Sequence, residues 1–198
     1  MLVLGLTGSI ASGKSTAAAT LAGMGAAVFD ADRAVHALYA GMAAPPIEAA
    51  FPGSVRNGVV DRGVLAARVV GNDKALARLE AMVHPLVNEA EAAFRARAAS
   101  SGRRIAVLDI PLLLETGGER RVDAVVVVTA EPDILKTRAL KRPGMTEARY
   151  AALLARQMSD ADKRARAHFI VDTSGDHDAT RKQIADVMRA VAGMAGGR

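Results

Sequence analysis

Gly8-Ser9-Ile10-Ala11-Ser12-Gly13-Lys14-Ser15 sets two glycines, a lysine and a hydroxyl at the spacing G-x-x-x-x-G-K-[ST], and Thr16 follows. Each part suits a nucleoside triphosphate. Gly8 and Gly13 are expected to allow the backbone angles that wrap a loop so its N–H groups face phosphate oxygens. Lys14 has the reach for the β- and γ-phosphates, and the Ser15 hydroxyl can bind Mg²⁺. A helix beginning near Gly13 adds the positive end of its dipole. The apolar run Leu2–Leu6 before the motif and a helical pattern after it are the context such a loop needs. The reading is a site for ATP and Mg²⁺ in a small kinase.

Phosphoryl transfer also needs carboxylates. Asp30-Ala31-Asp32 stands where a second strand, Ala27–Phe29, ends, and either residue can take or orient a substrate hydroxyl proton or cap the following helix. Asp109 closes the run Ile105–Leu108, where an acid either holds Mg²⁺ through water or satisfies a turn. Pro111 stiffens the exit from that strand. Between Lys136 and Arg166 lie Arg138, Arg142, Arg149, Arg156, Arg164 and Arg166. Guanidinium forks suit phosphate oxygens, with Arg138 and Arg142 the preferred pair. Arg149 and Arg156, seven apart, are expected to share a helix face. Arg62 has a phosphate or a neighbouring carboxylate such as Asp61 as candidate partners. His84 reads from its helical face as a packed, hydrogen-bonded residue.

The elements that position these residues follow from periodicity. Leu2–Leu6, Ile105–Leu108 and Ala124–Val128 read as buried parallel strands, with Ala27–Phe29 and Phe169–Val171 as weaker ones. Helical patterns cover Ser15 to Met24, a stretch through Leu76, Leu79, Val83, Leu86 and Val87, then Ile134 to Leu140, Glu147 to Gln157 and Ala179 to Val191. Pro85 is expected to kink or break the second of these near His84, and Pro143-Gly144 to part the third from the fourth. The alternation predicts an α/β fold with a doubly wound, parallel five-stranded sheet and ligands at the carboxyl ends of its strands. The stretch from about residue 33 to 101 is too long for a simple crossover. It reads as a helical substrate region inserted into a single domain, whose core comprises 1–32, 102–135 and 167–198.

Composition sets bounds. The chain has 198 residues, 51% of them hydrophobic and 3% aromatic, with a net charge of +5 and a pI near 10.0. A basic surface favours anionic partners, while few aromatics give few platforms for stacking nucleic-acid bases. No cysteine is present, which excludes disulfides, thiolate metal sites and cysteine nucleophiles. Met1–Leu6 is too short for a signal peptide and no apolar run has the length of a membrane span, so a cytoplasmic protein is expected. Asn-Lys-x-Asp, the guanine-reading motif of a GTP switch, does not occur. A nucleoside or nucleoside monophosphate kinase is the alternative enzyme reading.

In order along the chain, Leu6-Thr7-Gly8 and its loop are followed by Asp30-Ala31-Asp32, then Val60-Asp61-Arg62 with Leu65. Further on come Leu79-Glu80-Ala81-Met82-Val83-His84-Pro85, Asp109-Ile110-Pro111-Leu112-Leu113 with Glu115, and Arg156-Gln157-Met158. This set resembles the dephospho-coenzyme A kinase family over nearly the whole chain. The resemblance implies a P-loop fold of the nucleoside-monophosphate-kinase type and transfer of the ATP γ-phosphoryl to the ribose 3′-hydroxyl of dephospho-CoA. It implies Asp32 and Lys14 as catalytic, and Ala11, Ser12, Gly13, Lys14, Ser15, Thr16, Arg138 and Arg142 as ATP-binding. It also implies substrate contacts at Asp32, Arg62, His84, Pro111 and Leu112, metal contacts at Ser15 and Asp109, and a closing lid at about 136–166. The partners implied are ATP and dephospho-CoA, with neither nucleic acid nor membrane, in a monomer or weak homo-oligomer. Ser9 and Ala11 stand where many members carry glycine. Ala167-His168 replaces an Ala-Asp pair, and Asp172-Thr173-Ser174-Gly175 an Asn-containing turn near the adenine.

Overall fold

A computed structural model describes residues 1–196. In chain order its first elements are β1 (Leu2–Gly8), α1 (Lys14–Gly23), β2 (Ala27–Asp30), α2 (Ala31–Tyr39) and α3 (Ala44–Ala50). A short hairpin, β3 (Val55–Arg56) and β4 (Val59–Val60), leads to α4 (Arg62–Val69) and the long α5 (Asp73–Ser100). The remainder is β5 (Ile105–Asp109), a 3-10 turn at Gly118–Arg121, β6 (Ala124–Thr129), α6 (Pro132–Leu140), α7 (Glu147–Leu154), α8 (Asp160–Ala165), β7 (Phe169–Asp172) and α9 (His177–Gly196).

Five strands form one sheet in the order β2-β5-β1-β6-β7. β1 pairs in parallel with β5 and β6, and β6 with β7, so Leu6 lies beside Asp109 on one side and Val126 on the other. β1, β5 and β6 are buried at every position, the mark of strands covered on both faces. Alternate residues divide between two cores. Leu4, Leu6, Val107, Val126 and Val128 pack with Leu21 of α1 and Ile184 and Val191 of α9. Val125 and Val127 point the other way, onto Leu113 and Leu114. Burying each such side chain contributes roughly 1.5–3 kcal/mol. All five strands foreseen in the sequence are present, each extended at its carboxyl end by one or two residues.

The chain divides into two compact units, Asp30–Arg97 and the remainder. The smaller has its own core, with Leu38, Ile47, Phe51, Leu65, Leu79 and Val83 at its centre. Pro85 does not break α5, which continues through it. Proline has no N–H to give the Ala81 carbonyl, a loss with a typical cost of about 3 kcal/mol. Leu79 and Val83 before it, and Leu86 and Val87 after it, all pack on the same core and offset that cost.

The β3–β4 hairpin, the 3-10 turn and α8 lay outside the sequence reading. The β3–β4 hairpin turns on Asn57 at φ 51° and Gly58 at φ 77°, and Asn-Gly is the pair that favours this turn. α8 is polar and short. It is announced only by its cap, where the Ser159 hydroxyl accepts from Asp162 N–H at 3.1 Å. α7 ends at Leu154, so Arg156 lies beyond it and does not share a helix face with Arg149. Among the described residues no helix is long and apolar enough to cross a membrane.

Candidate active site

The phosphate-loop sequence joins β1 to α1. Gly13 caps α1 at φ 84°, a left-handed conformation that glycine adopts without a Cβ clash. Gly8 is required for a different reason from the one its sequence suggests. It belongs to β1, and a β-carbon there would run into the Val128 carbonyl and the Ser12 hydroxyl. The second left-handed residue is Ala11, at φ 65°. Its methyl is buried in a small cluster with Ala139 of α6 and Tyr150 of α7. Peptide contacts fix the loop further, with Ser12 N–H donating to the Ser9 carbonyl at 3.1 Å.

Lys14 begins α1 and its Nζ is ion-paired to Asp109, a side chain only 5% exposed at the end of β5. Asp109 is thus the lysine's partner inside the sheet edge and not a turn residue. Ser15 and Thr16 follow in the first turn of α1 with exposed side chains. Pro111 and Leu112 are half-buried, and the Pro111 carbonyl accepts from the Thr7 hydroxyl at 2.9 Å. This ties the loop after β5 to β1.

Arg138 of α6 donates from Nη1 to Thr173 Oγ1 at 2.9 Å and from Nη2 to the Thr173 carbonyl at 2.7 Å. The buried Thr173 hydroxyl donates to the Ser12 carbonyl at 2.8 Å. Gly13, Thr16, Arg138, Thr173, Gly175 and His177 line a cavity of about 330 Å³, large enough for a small planar ligand. Arg142 is exposed and does not line it. In the adjoining turn Asp172 Oδ1 accepts from Ser174 N–H at 2.8 Å. Hydrogen bonding from Ser174, from its hydroxyl most and its N–H next, holds the Asp172 carboxyl below its ordinary range.

The smaller unit carries the other candidates. Asp30 caps α2 by accepting from Arg33 N–H at 2.9 Å, which leaves Asp32 exposed in the first turn without a capping role. Asp32, His36, Tyr39, Arg62, Leu65 and Val69 are among the residues around a cavity of about 570 Å³. The Arg62 guanidinium meets His36 Nε2. Asp61 is not its partner. It caps α4 through Gly63 and Val64 N–H and lies 3.4 Å from Arg56 Nε. Burial pushes the Tyr39 phenol up, against the opposing pull of Arg62. His84 is exposed on α5. The packed reading of that histidine therefore fails, because Val83 takes the inward position of that turn and His84 the outward one.

Three residues had no role assigned from the sequence. Gln157 Oε1 accepts from Ile10 N–H at 3.1 Å, inside the phosphate loop. Glu115 accepts from Met158 N–H at 2.8 Å and lies 3.1 Å from the wholly buried Lys163 Nζ. Only the motif fragments around Glu115 and Gln157 hinted at them, and no local pattern pairs residues so far apart in the chain.

A parallel sheet with β1 at its centre, a glycine-bearing loop running from β1 into α1, and a lysine seated on the acid of the neighbouring strand define a P-loop kinase fold. A structure from Thermus thermophilus designated TT1252 aligns with a TM-score of 0.86 and 31% identity over 96% of each chain. Dephospho-CoA kinase from Campylobacter jejuni has the same fold, with a TM-score of 0.70 and 23% identity over 96% of each chain. The family model for dephospho-CoA kinase matches residues 2–179. Dephospho-CoA kinase of Brucella melitensis is 56% identical over 193 residues, covering 98% of this chain and 96% of the relative. The chain belongs to the dephospho-CoA kinase family.

Proposed function

We propose that the chain transfers the γ-phosphoryl group of ATP to the ribose 3′-hydroxyl of dephospho-CoA, giving coenzyme A and ADP, the last step of coenzyme A synthesis. The observation that carries this is 56% identity, along almost its whole length, to a relative named for that activity. The intact phosphate loop with its Lys14–Asp109 pair supports it.

In this reading the N–H groups of Ala11, Gly13, Lys14, Ser15 and Thr16 form the phosphate cradle, and Ser12, whose N–H is committed to the Ser9 carbonyl, shapes the loop that carries them. Lys14 offsets charge that develops on the transferring group. Arg138 borders the space for the nucleotide, and Arg142 reaches the phosphates once the segment 136–166 closes as a lid. The Ser15 hydroxyl and Asp109 carboxylate are hard oxygen donors. They suit Mg²⁺, which takes its remaining ligands from water and substrate phosphates, and which when bound neutralises charge on the β- and γ-phosphates. Asp32 accepts or orients the 3′-hydroxyl proton as the new P–O bond forms and the bond to ADP breaks. Arg62 and His84 of the smaller unit are acceptor contacts toward the anionic groups, and Pro111 and Leu112, in the loop after β5, are further acceptor contacts. The protein acts in the cytoplasm as a monomer or weak homo-oligomer and engages no nucleic acid.

The test is ADP release from Mg·ATP with dephospho-CoA, beside a panel of nucleosides and nucleoside monophosphates. ADP formed only with dephospho-CoA, and coenzyme A recovered as product, is the expected result. Stimulation by a panel member in its place overturns the acceptor assignment.

A further inference from the structure

The Ser9–Ile10 peptide is held at both of its polar ends. Its carbonyl accepts from Ser12 N–H at 3.1 Å, and its N–H donates to Gln157 Oε1, also at 3.1 Å. A peptide plane gripped at both ends cannot rotate, whereas one held at the carbonyl alone can turn at modest cost. One peptide further on, Ile10–Ala11 leads into Ala11, whose left-handed φ of 65° is a strained conformation for a residue with a side chain. Strain of this kind persists only where the surroundings enforce it.

Gln157 is itself firmly mounted. Its own N–H donates to the Leu154 carbonyl at 3.0 Å, closing the turn after α7. The next N–H, at Met158, donates to Glu115 at 2.8 Å, and Glu115 is braced by the buried Lys163. The Ala11 methyl packs with Tyr150 and Ala139. One polar and one apolar contact therefore hold adjacent loop residues.

We propose that Gln157 is a positioning residue for phosphoryl transfer: by accepting from Ile10 N–H it locks the Ser9–Ile10 peptide plane and with it the curvature of the ATP loop. It touches no reacting atom. Its effect on ATP passes through loop geometry. This inference rests on the reading of residues 8–16 as the ATP site.

The experiment compares wild type with Gln157→Met, which keeps the length of the side chain but has no oxygen acceptor. In the nucleotide-free protein, Ile10 amide exchange followed by NMR is expected to rise about tenfold, the loss of one hydrogen bond. Gln157→Glu, whose carboxylate still accepts, keeps Ile10 protected. Binding of a non-hydrolysable ATP analogue with Mg²⁺ weakens about five- to tenfold in Gln157→Met, while KM for dephospho-CoA stays unchanged. Unaltered Ile10 exchange in Gln157→Met overturns the proposal. So does faster exchange with unaltered analogue binding and turnover. Should the methionine variant fail to fold, Gln157→Asn, one carbon too short to reach, replaces it with the same expectations. A wild-type protein that does not bind the analogue sinks the ATP-site reading, and the exchange comparison still decides whether Gln157 holds the loop.

Discussion

The Arg138 guanidinium grips Thr173 twice, at its hydroxyl and its carbonyl, and the same hydroxyl donates to the Ser12 carbonyl. An arginine that the sequence marks only as a phosphate ligand thus anchors the turn after β7 to the carboxyl side of the phosphate loop. Donors oriented in advance cost no reorganisation when the transferring group develops charge.

Thr173→Val keeps the shape of the side chain and removes the hydroxyl that serves both neighbours. With roughly 1 kcal/mol for each hydrogen bond lost, KM for ATP is expected to rise about tenfold or more. Thr173→Ser retains the bonds and stays near wild type. Steady-state kinetics at saturating acceptor read the difference, and equal behaviour of the two variants counts against the anchoring role.

Ala11 offers a balance of opposed effects. Ala11→Gly relieves left-handed strain of about 1–2 kcal/mol. The same change loses about 0.8 kcal/mol from one buried methyl and about 0.4–1 kcal/mol from a freer unfolded chain. These nearly cancel, so denaturant unfolding is expected to place Ala11→Gly within about 1 kcal/mol of wild type. A β-branched residue tolerates positive φ far less well, and Ala11→Val is expected to lose ATP binding before it loses the fold. Normal ATP affinity in Ala11→Val contradicts the importance given to that backbone conformation.

What could be read in advance follows from how local each signal is. The Val125–Val128 run declares a strand covered on both faces, and the loop residues 8–15 declare a phosphate site, because both patterns are contiguous. The Asn57-Gly58 turn was equally local and was passed over, since the strands it joins are only two residues each. Pro85 misled because local chemistry predicts a break that packing on both sides overrides. Gln157–Ile10 and Lys163–Glu115 join residues 147 and 48 positions apart, and only the folded chain brings them together. His84 was misjudged by one position on its helix, with Val83 turned inward in its place.

Glu48 provides a pH test of the smaller unit. Its carboxylate accepts from Gly53 N–H at 2.6 Å and Val55 N–H at 2.8 Å. The bond from Gly53, more than any other influence, lowers its pKa from the ordinary glutamate value. A lowered folded-state pKa means stability that is present above the unfolded value and disappears as pH falls through the folded one. Glu48→Gln is therefore expected to lower Tm at neutral pH and to converge with wild type in acid, below the normal glutamate range. A gap between the two that persists unchanged into strong acid assigns the effect to packing and not to the carboxylate.

Asp32 is the sharpest test of the proposed chemistry. Asp30 already caps α2, so Asp32→Asn leaves the helix start intact and removes only a carboxylate from the edge of the larger cavity. General-base assistance contributes typically about 10²–10⁴-fold. Turnover is expected to fall by about that factor, while the Kd for Mg·ATP changes little, because the phosphate loop is untouched. A loose transition state, with late proton removal, shifts the expected loss toward the lower figure. Calorimetric binding of an ATP analogue and single-turnover formation of coenzyme A separate the two effects. Turnover within a few-fold of wild type removes Asp32 from the reaction, whereas a matching loss of ATP affinity reassigns it to nucleotide binding.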